Sequence, residues 1–571
     1  MNEILSRYCP KIEFDSYDDF YANYRCNAPE DFNFAYDVAD QWAYFQPEKK
    51  ALVWTDDSEE IKIFSFADIK KLSDKAANAL TAMCVKKGDV VMLILKQRPE
   101  VWTLMCALEK IGAICIPGTY QLTAKDLEYR CNIAGVKLLI SVCDKELLDN
   151  IALIRGNCSN LEKVAVIGKD TPDNCINMSE EIEKAGDDFK RIVTRADEPM
   201  LVYFSSGTTG MPKMVLHNHT LPLGHIVTAK YWHCVEDNSV HLTQTDSGWA
   251  KFAWGKIYGQ WICGAAVGVY DWEKFTSGGM LDAIQRLKPS TFCAAATVFR
   301  YLIKEDLGRH DFSFIRHTSV AGEPLSPEVY NKFKELTGLK IREGFGQSET
   351  SVMAANFKWL PVKPGSMGKP APLFDLKLLD ENGDACDEGI IGNMSITRAG
   401  KNMFETEKAD NICVIGMSDT PGVFRGYWKD REITANCWKN GTYQTGDMAW
   451  RDDDGYLWFV GRNDDVIKCS GYRIGPFEVE SALMEHPCVL ECAVTAAPDA
   501  MRGQVVKATI VLSRGFSASD NLIRELQNHV KRVTAPYKYP RIVEFVSELP
   551  KTISGKIQRN VIRKKDSSSV L

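Results

Sequence analysis

The hydrophobic pattern along the chain predicts alternating helices and strands. From about residue 66, Ile69, Leu72, Ala76, Ala79, Leu80 and Met83 recur at helical spacing, and Lys87-Gly88-Asp89 ends that helix. Val90–Leu95 is a continuous apolar run of strand length. A helix opening at Pro99 carries Val101, Trp102, Met105 and Leu108, and a strand over 113–116 follows it. Thr123 with Asp126 marks the next helix start, and residues 136–142 the next strand. Alternation of this kind predicts a parallel sheet with helices on both faces. The rhythm resumes with helices at 281–287, 298–303 and 327–336, and strands at 291–295, 315–320 and 339–342. Between about 362 and 460 the pattern changes to short strands punctuated by glycine and proline, which predicts an all-β subdomain ending at the strand 456–460. The stretch from Gly461 to Gly475 holds Gly471 and the charges Arg462, Asp464, Asp465, Lys468 and Arg473, and it is the best domain boundary. A smaller α/β unit follows, with strands near 489–495, 505–512 and 541–546 and a helix near 519–533.

Composition narrows this picture. A chain of 571 residues is too long for a single core. A net charge of −7 argues against a nucleic-acid binder, although it leaves room for a local basic groove. The 18 cysteines are scattered, with no Cys-x-x-Cys, which points to a reducing compartment rather than a disulfide framework. The first twenty residues carry Glu3, Glu13, Asp15, Asp18 and Asp19, the wrong sign for a secretory or mitochondrial leader. The longest apolar runs are strand-sized and far short of a membrane span. The expectation is a soluble cytoplasmic protein with no membrane span and no nucleic-acid partner, its oligomeric state left open.

One stretch carries distinctive chemistry. The apolar run Met200–Phe204 predicts a buried strand, and it leads into Ser205, Ser206, Gly207, Thr208, Thr209 and Gly210, closed by Pro212 and Lys213. Two glycines let backbone N–H groups converge, four hydroxyls add donors, and Lys213 adds a compact positive charge. Such a set suits a polyphosphate. It is not the Gly-Lys-Ser/Thr phosphate loop, because that triplet is missing at the required spacing.

This stretch resembles the phosphate loop of the adenylate-forming superfamily of acyl-CoA synthetases, adenylation domains and luciferases. Further segments match in the family's order: Ala321-Gly-Glu-Pro324, Glu343-Gly-Phe-Gly-Gln-Ser-Glu349, Tyr443-Gln-Thr-Gly-Asp447, Gly461-Arg-Asn-Asp-Asp465 and Pro550-Lys-Thr-Ile-Ser-Gly-Lys556. The resemblance spans roughly residues 40–565. Within it the chain is most similar to medium-chain acyl-CoA synthetases, through Thr245–Trp249, Arg502–Lys507 and Thr534–Arg541. The resemblance implies an α/β fold: a large N-terminal domain (1–463) of two α/β sheet subdomains plus a small β-barrel subdomain, and a small mobile α+β C-terminal domain (464–571). It also implies ATP, CoA and Mg²⁺ together with a small carboxylic acid. The acid attacks the α-phosphate to give acyl-AMP and pyrophosphate, and the CoA thiol then displaces AMP.

Residue by residue, Lys556 matches the lysine that bridges carboxylate and α-phosphate, and Glu349 the Mg²⁺-associated glutamate. Ser348 stands where the family usually has threonine. Phe345 matches the aromatic position stacked on adenine, while Gly322, Glu323 and Pro324 match the turn beside it. Glu343, Gly344, Gly346 and Gln347 complete that ATP-binding motif. Asp447 matches the acceptor of both ribose hydroxyls, with Arg462 as its companion, and Asp464 falls at the hinge. For CoA, Ser470, Gly471 and Tyr472 match the pantetheine wall, and Gln121, Arg502, Lys531, Tyr539, Pro540 and Arg541 the nucleotide contacts. Gly248 and Trp249 match the floor of the acyl pocket, and Arg473 a position near the acyl-adenylate.

The aromatic density of Phe252, Trp254, Tyr258 and Trp261 suggests a short, branched or ring-bearing acyl group, with at least half of these residues serving as ordinary core. Lys256 among them either pairs toward solvent or limits pocket depth. A stand-alone module charging a carrier protein, an aryl or benzoate-type CoA ligase, and a nucleotide sensor without catalysis are the alternatives. Retention of both Lys556 and Glu349 argues against the sensor.

Overall fold

The computed structural model describes residues 2–205, 211–397, 404–406, 414–416, 420–439, 441–469, 472–499, 502–552 and 555–568. Two large sheets form the body of the protein. The first has seven strands and is parallel except for its last pair, Pro199–Ser205 against Lys213–Asn218. Val90–Ile94 lies inside it with all five residues buried, as an uninterrupted apolar run requires of a strand covered on both faces. The second sheet has nine strands, parallel in the middle and antiparallel at both edges.

Local chemistry sets the helices between these strands. The helix Ala124–Ala134 starts at a reciprocal capping box between Thr123 and Asp126, so two otherwise orphaned backbone donors are satisfied. The helix Glu100–Ile111 begins after Pro99 and stops at Gly112, whose φ of 78° is the left-handed cap that glycine adopts without strain. The all-β region is a five-stranded antiparallel sheet in which Thr442–Arg451 pairs with both Gly392–Thr397 and Leu457–Arg462.

Beyond Asp465 lies a separate five-stranded sheet carrying the helices Pro476–Met484 and Asp520–Val533, with its own apolar core from Ile467 to Val530. One continuous core, by contrast, runs from Ile4 to Leu457 through both sheets of the body. The N-terminal segment is stitched into that body: Trp42 donates its indole N–H to the Trp261 carbonyl at 2.7 Å, and Phe20 packs between Tyr231 and Trp359. Among the described residues no helix is long and apolar enough to cross a membrane.

Candidate active site

A cleft of ≈ 870 Å³, within the usual range for small-molecule sites, opens between the body and the small domain. Strand ends build its large-domain wall. Ser205 and Lys213 face each other across the antiparallel pair, at the two ends of the predicted phosphate loop. Both line the cleft, while Ser206, Gly207, Thr208, Thr209 and Gly210 lie outside the described residues. Lys213 Nζ sits 4.9 Å above the ring of Tyr427.

The strand Ile341–Phe345 delivers Glu343, Gly344 and Phe345, and the chain runs on along the cleft through Gly346, Gln347, Ser348 and Glu349. Glycine is obligatory twice here. A Cβ at Gly344 would lie 2.4 Å from the Trp232 indole, and one at Gly346 2.3 Å from Trp254. His217 fixes the far end of this stretch, its Nε2 lying 2.7 Å from the Ser348 carbonyl. A carbonyl only accepts, so Nε2 is the protonated nitrogen. Burial pushes the His217 pKa down to about 4, which keeps the ring neutral.

Tyr427, 7% exposed, donates its hydroxyl to Glu349 Oε1 at 2.8 Å. Among the described residues no three His, Cys, Asp or Glu side chains converge as a metal cage. A single carboxylate suits Mg²⁺, which arrives with phosphate oxygens and keeps several waters. Glu349 therefore fits as its protein ligand.

Opposite, Asp447 and Arg462 are paired across their strands, with Arg462 Nη1 3.6 Å from Asp447 Oδ1. Tyr443 donates to Gln347 Oε1 at 2.7 Å, and Gln347 Nε2 donates to Asp447 Oδ2 at 2.5 Å. Asp447 is 5% exposed, and burial raises its pKa to about 6 against the lowering pull of Arg462, Gln347 and Lys556. Glu343, also buried, is pushed up to about 8 and is protonated at neutral pH. Phe345 and Phe459 face one another at 6.1 Å as an aromatic slot on the same wall. Gly322, Glu323 and Pro324 line the cleft beside it. The Glu323 carboxylate is bound by Thr297 N–H and Oγ1 and by Arg300, which anchors that turn to the helix Ala296–Leu302.

The small domain supplies the facing wall. Lys556 is exposed and lines the cleft, where its N–H donates to Thr552 Oγ1 at 3.1 Å and its carbonyl accepts from the Thr552 N–H at 2.8 Å. Asp464 lines the cleft as well.

The other predicted residues are not gathered here. Lys531 and Arg541 both lie against the ring of Tyr539, at 4.1 Å and 4.9 Å, and the Pro540 carbonyl accepts from Gln527; this cluster is off the cleft. Tyr472, 52% exposed, stacks on Tyr537 at 4.2 Å. Ser470 and Gly471 lie outside the described residues. The Arg502 backbone N–H is held by Asp499 in the small domain, and Gln121 is exposed on the large one. Arg473 pairs with Glu381 at 2.6 Å, away from the cleft. Gly248 packs so tightly on Thr119 that a Cβ would come within 2.2 Å of its nitrogen, and neither Gly248 nor the half-buried Trp249 lines the cleft.

Phe252, Tyr258 and Trp261 are core, as expected of at least half of that aromatic group, while Trp254 backs Gly346. The reading of Lys256 as pairing toward solvent is corrected. It is 1% exposed, its ammonium is hydrogen-bonded to Gln97 Oε1, and burial lowers its pKa to about 7 against the pull of Asp271 and Asp246. Sequence reasoning missed Tyr427, Phe459, Arg559 and Arg563, all lining the cleft. Their signal is spatial, since none sits in a motif whose chemistry is legible locally.

Fold and cleft define an α/β protein whose two domains share a cleft lined by charged and aromatic side chains. The chain belongs to the AMP-binding enzyme family: the AMP-binding enzyme model matches residues 39–406, and that of the AMP-binding enzyme C-terminal domain residues 478–556. It is 40% identical over 562 residues to the mouse mitochondrial acyl-coenzyme A synthetase ACSM3, covering 97% of this chain and 94% of that one. To rat mitochondrial ACSM4 it is 42% identical, covering 96% and 93%. Among solved structures it is similar to the anthranilate CoA ligase AuaEII in complex with anthranoyl-AMP, with TM-score 0.84 and 28% identity over 95% and 99% of the two chains. It is also similar to a Brucella canis acyl-CoA synthetase, with TM-score 0.71 and 29% identity over 98% and 100%.

The titration of Asp447 gives a first prediction. In the role that the resemblance implies, Asp447 accepts both ribose hydroxyls, which its two oxygens do best when ionised, above a pKa of about 6. The KM for ATP should therefore climb as pH falls through 6, and Asp447→Asn should show a high KM with no such acid limb. An unchanged acid limb in the variant would remove Asp447 from this role.

Proposed function

We propose that this chain is an ATP-dependent, AMP-forming acid–CoA ligase that activates a short-to-medium or branched carboxylic acid through its acyl-adenylate and passes the acyl group to CoA. The observation that carries the reading is the cleft itself, where Lys213, Glu349, Asp447 and Lys556 converge from two domains. In this reading Ser205, Lys213 and the loop between them hold the β- and γ-phosphates, Phe345 and Phe459 the adenine, and Asp447 with Arg462 the ribose. Mg²⁺ bound at Glu349 supplies positive charge to the phosphates. In the same reading Lys556, which lines the cleft, neutralises charge between the attacking carboxylate and the α-phosphate.

We place the domain boundary at Asn463/Asp464, which the separate apolar core of the small domain supports. Lys531, Tyr539 and Arg541 form a cationic, aromatic patch suited to the CoA nucleotide, and it lies off the cleft while Lys556 is in it. A turn of the small domain about Asp464 would exchange the two. Gly248 and Trp249, on the body, are assigned to the floor of the acyl pocket, and Arg473 to a position near the acyl-adenylate. The cysteines that the structure describes are all free, which fits a reducing compartment; we keep the cytoplasm as the proposal, while the mammalian relatives are named mitochondrial.

Incubation with ATP, Mg²⁺, CoA and a panel of propionate, butyrate, branched acids, octanoate and benzoate should release AMP and pyrophosphate in step with acyl-CoA. ADP as the product would overturn the reading. Pyrophosphate exchange without any CoA thioester would favour a carrier-charging module, and a clear preference for benzoate an aryl-CoA ligase.

A further inference from the structure

A run of alternating charges crosses the boundary between the domains. Arg462 on the body side faces Asp447 at 3.6 Å and Asp464 at 3.9 Å. The other oxygen of Asp464 lies 3.9 Å from Arg563 Nη2, on the helix Arg559–Ser568 of the small domain. Arg563 Nη1 donates to the Asp464 carbonyl at 2.9 Å and to Asp465 Oδ1 at 2.5 Å. One turn earlier on the same face, Arg559 forks onto both oxygens of Glu480 at 2.8 Å each, and lies 3.7 Å from Asp465.

This helix begins three residues after Lys556, so its placement sets where the lysine points. Its apolar anchorage is slight. Ile562 is its buried hydrophobic residue among those described, packed with Ala493 and Leu549, and Val561 is exposed. Polar contacts hold the rest, with Lys507 on Asp566 at the far end and the two arginines at the end next to Lys556. The Asp465 carboxylate is 7% exposed, so it needs a cation in this place.

We propose that Arg563 is a positioning residue for adenylation: it ties the helix behind Lys556 to the segment Asp464–Asp465 and so fixes the lysine in the cleft. The inference rests on the reading of Lys556 as the lysine that acts in adenylation. Arg563 works through Lys556 and the boundary segment, with no contact to the reacting atoms required. A purely structural role in the small domain would impair every step that domain serves, whereas a positioning role impairs only the step that needs Lys556.

The test uses the full chain in two assays, ATP–pyrophosphate exchange with a good acid substrate, and conversion of supplied acyl-AMP and CoA to acyl-CoA. Arg563→Ala should lower exchange by about 10²-fold, mainly in kcat, because small misplacements of a catalytic group are that costly. Thiolation should stay close to wild type. Arg563→Lys keeps the charge and should recover part of the loss. Asp465→Asn, which removes the partner without removing bulk, should show the same split and serves if Arg563→Ala does not fold. Equal loss in both assays, or unchanged exchange, overturns the proposal. Lys556→Ala, run in parallel, tests the underlying reading separately: if it leaves exchange intact, that reading is what has failed.

Discussion

Lys556→Ala is expected to lower ATP–pyrophosphate exchange by about 10²–10³-fold, the cost of losing one preorganised donor at developing charge. Conversion of supplied acyl-AMP to acyl-CoA should survive. The reason lies in the distribution of charge around the cleft. The body presents Glu349 and Asp447, and the substrates bring a polyphosphate and a carboxylate. Lys213 sits over the Tyr427 ring beside Glu349, at the phosphate-loop end of the wall. Lys556 comes from the opposite wall on an exposed loop, and its charge reaches Asp447 across the cleft. In the proposed reading it serves the approaching anion, and it is held by the domain that carries the proposed CoA patch. Measuring the halves separately is the essential check. Loss of both in Lys556→Ala would contradict a small domain that serves one step with its lysine and the other with a different face.

Much of this arrangement is legible in the sequence, and the reasons are local. Val90–Ile94 reads as a strand because five consecutive apolar residues fit only a position covered on both sides. Thr123 and Asp126 read as a helix start because their side chains cap the backbone within one turn. Motif residues such as Glu343, Gln347, Glu349 and Asp447 meet in one cleft because they lie on or just beyond strands of two different sheets that both border it. The resemblance gave these residues their roles, and packing supplied the reasons for some of them: Gly344 and Gly346 are glycines because tryptophans lie against them.

What was not legible depends on partners distant in the chain. Lys256 reads equally as a solvent-facing charge or a limit to pocket depth until Gln97, Asp246 and Asp271 are seen around it. Tyr427 is one tyrosine among many until its hydroxyl is found on Glu349, and Arg563 is a tail arginine until it meets Asp465. The short N-terminal helices Glu3–Tyr8 and Tyr17–Asn23 carry too few turns for periodicity to register, and packing against Tyr231 and Trp359 holds that segment in place.

Glu349→Gln is the second large effect expected. The substitution keeps the size of the side chain and leaves an oxygen for the Tyr427 hydroxyl, so the wall of the cleft should stand. What it removes is the negative charge, and a hard dication depends on that charge. Exchange should fall by about 10²-fold or more, and the Mg²⁺ concentration needed for half-maximal exchange should rise. Mn²⁺ binding followed by electron paramagnetic resonance, in the presence of a non-hydrolysable ATP analogue, should weaken in parallel and does not depend on turnover. Tyr427→Phe separates charge from orientation. It removes one hydrogen bond to a carboxylate, worth about 1.5–3 kcal/mol net, and leaves the charge in place. Its Mn²⁺ affinity should therefore drop less than that of Glu349→Gln. A Glu349→Gln enzyme with wild-type Mn²⁺ binding would mean that the metal is held by the phosphates alone, and Glu349 would then be a partner of Tyr427 in the cleft wall and nothing more.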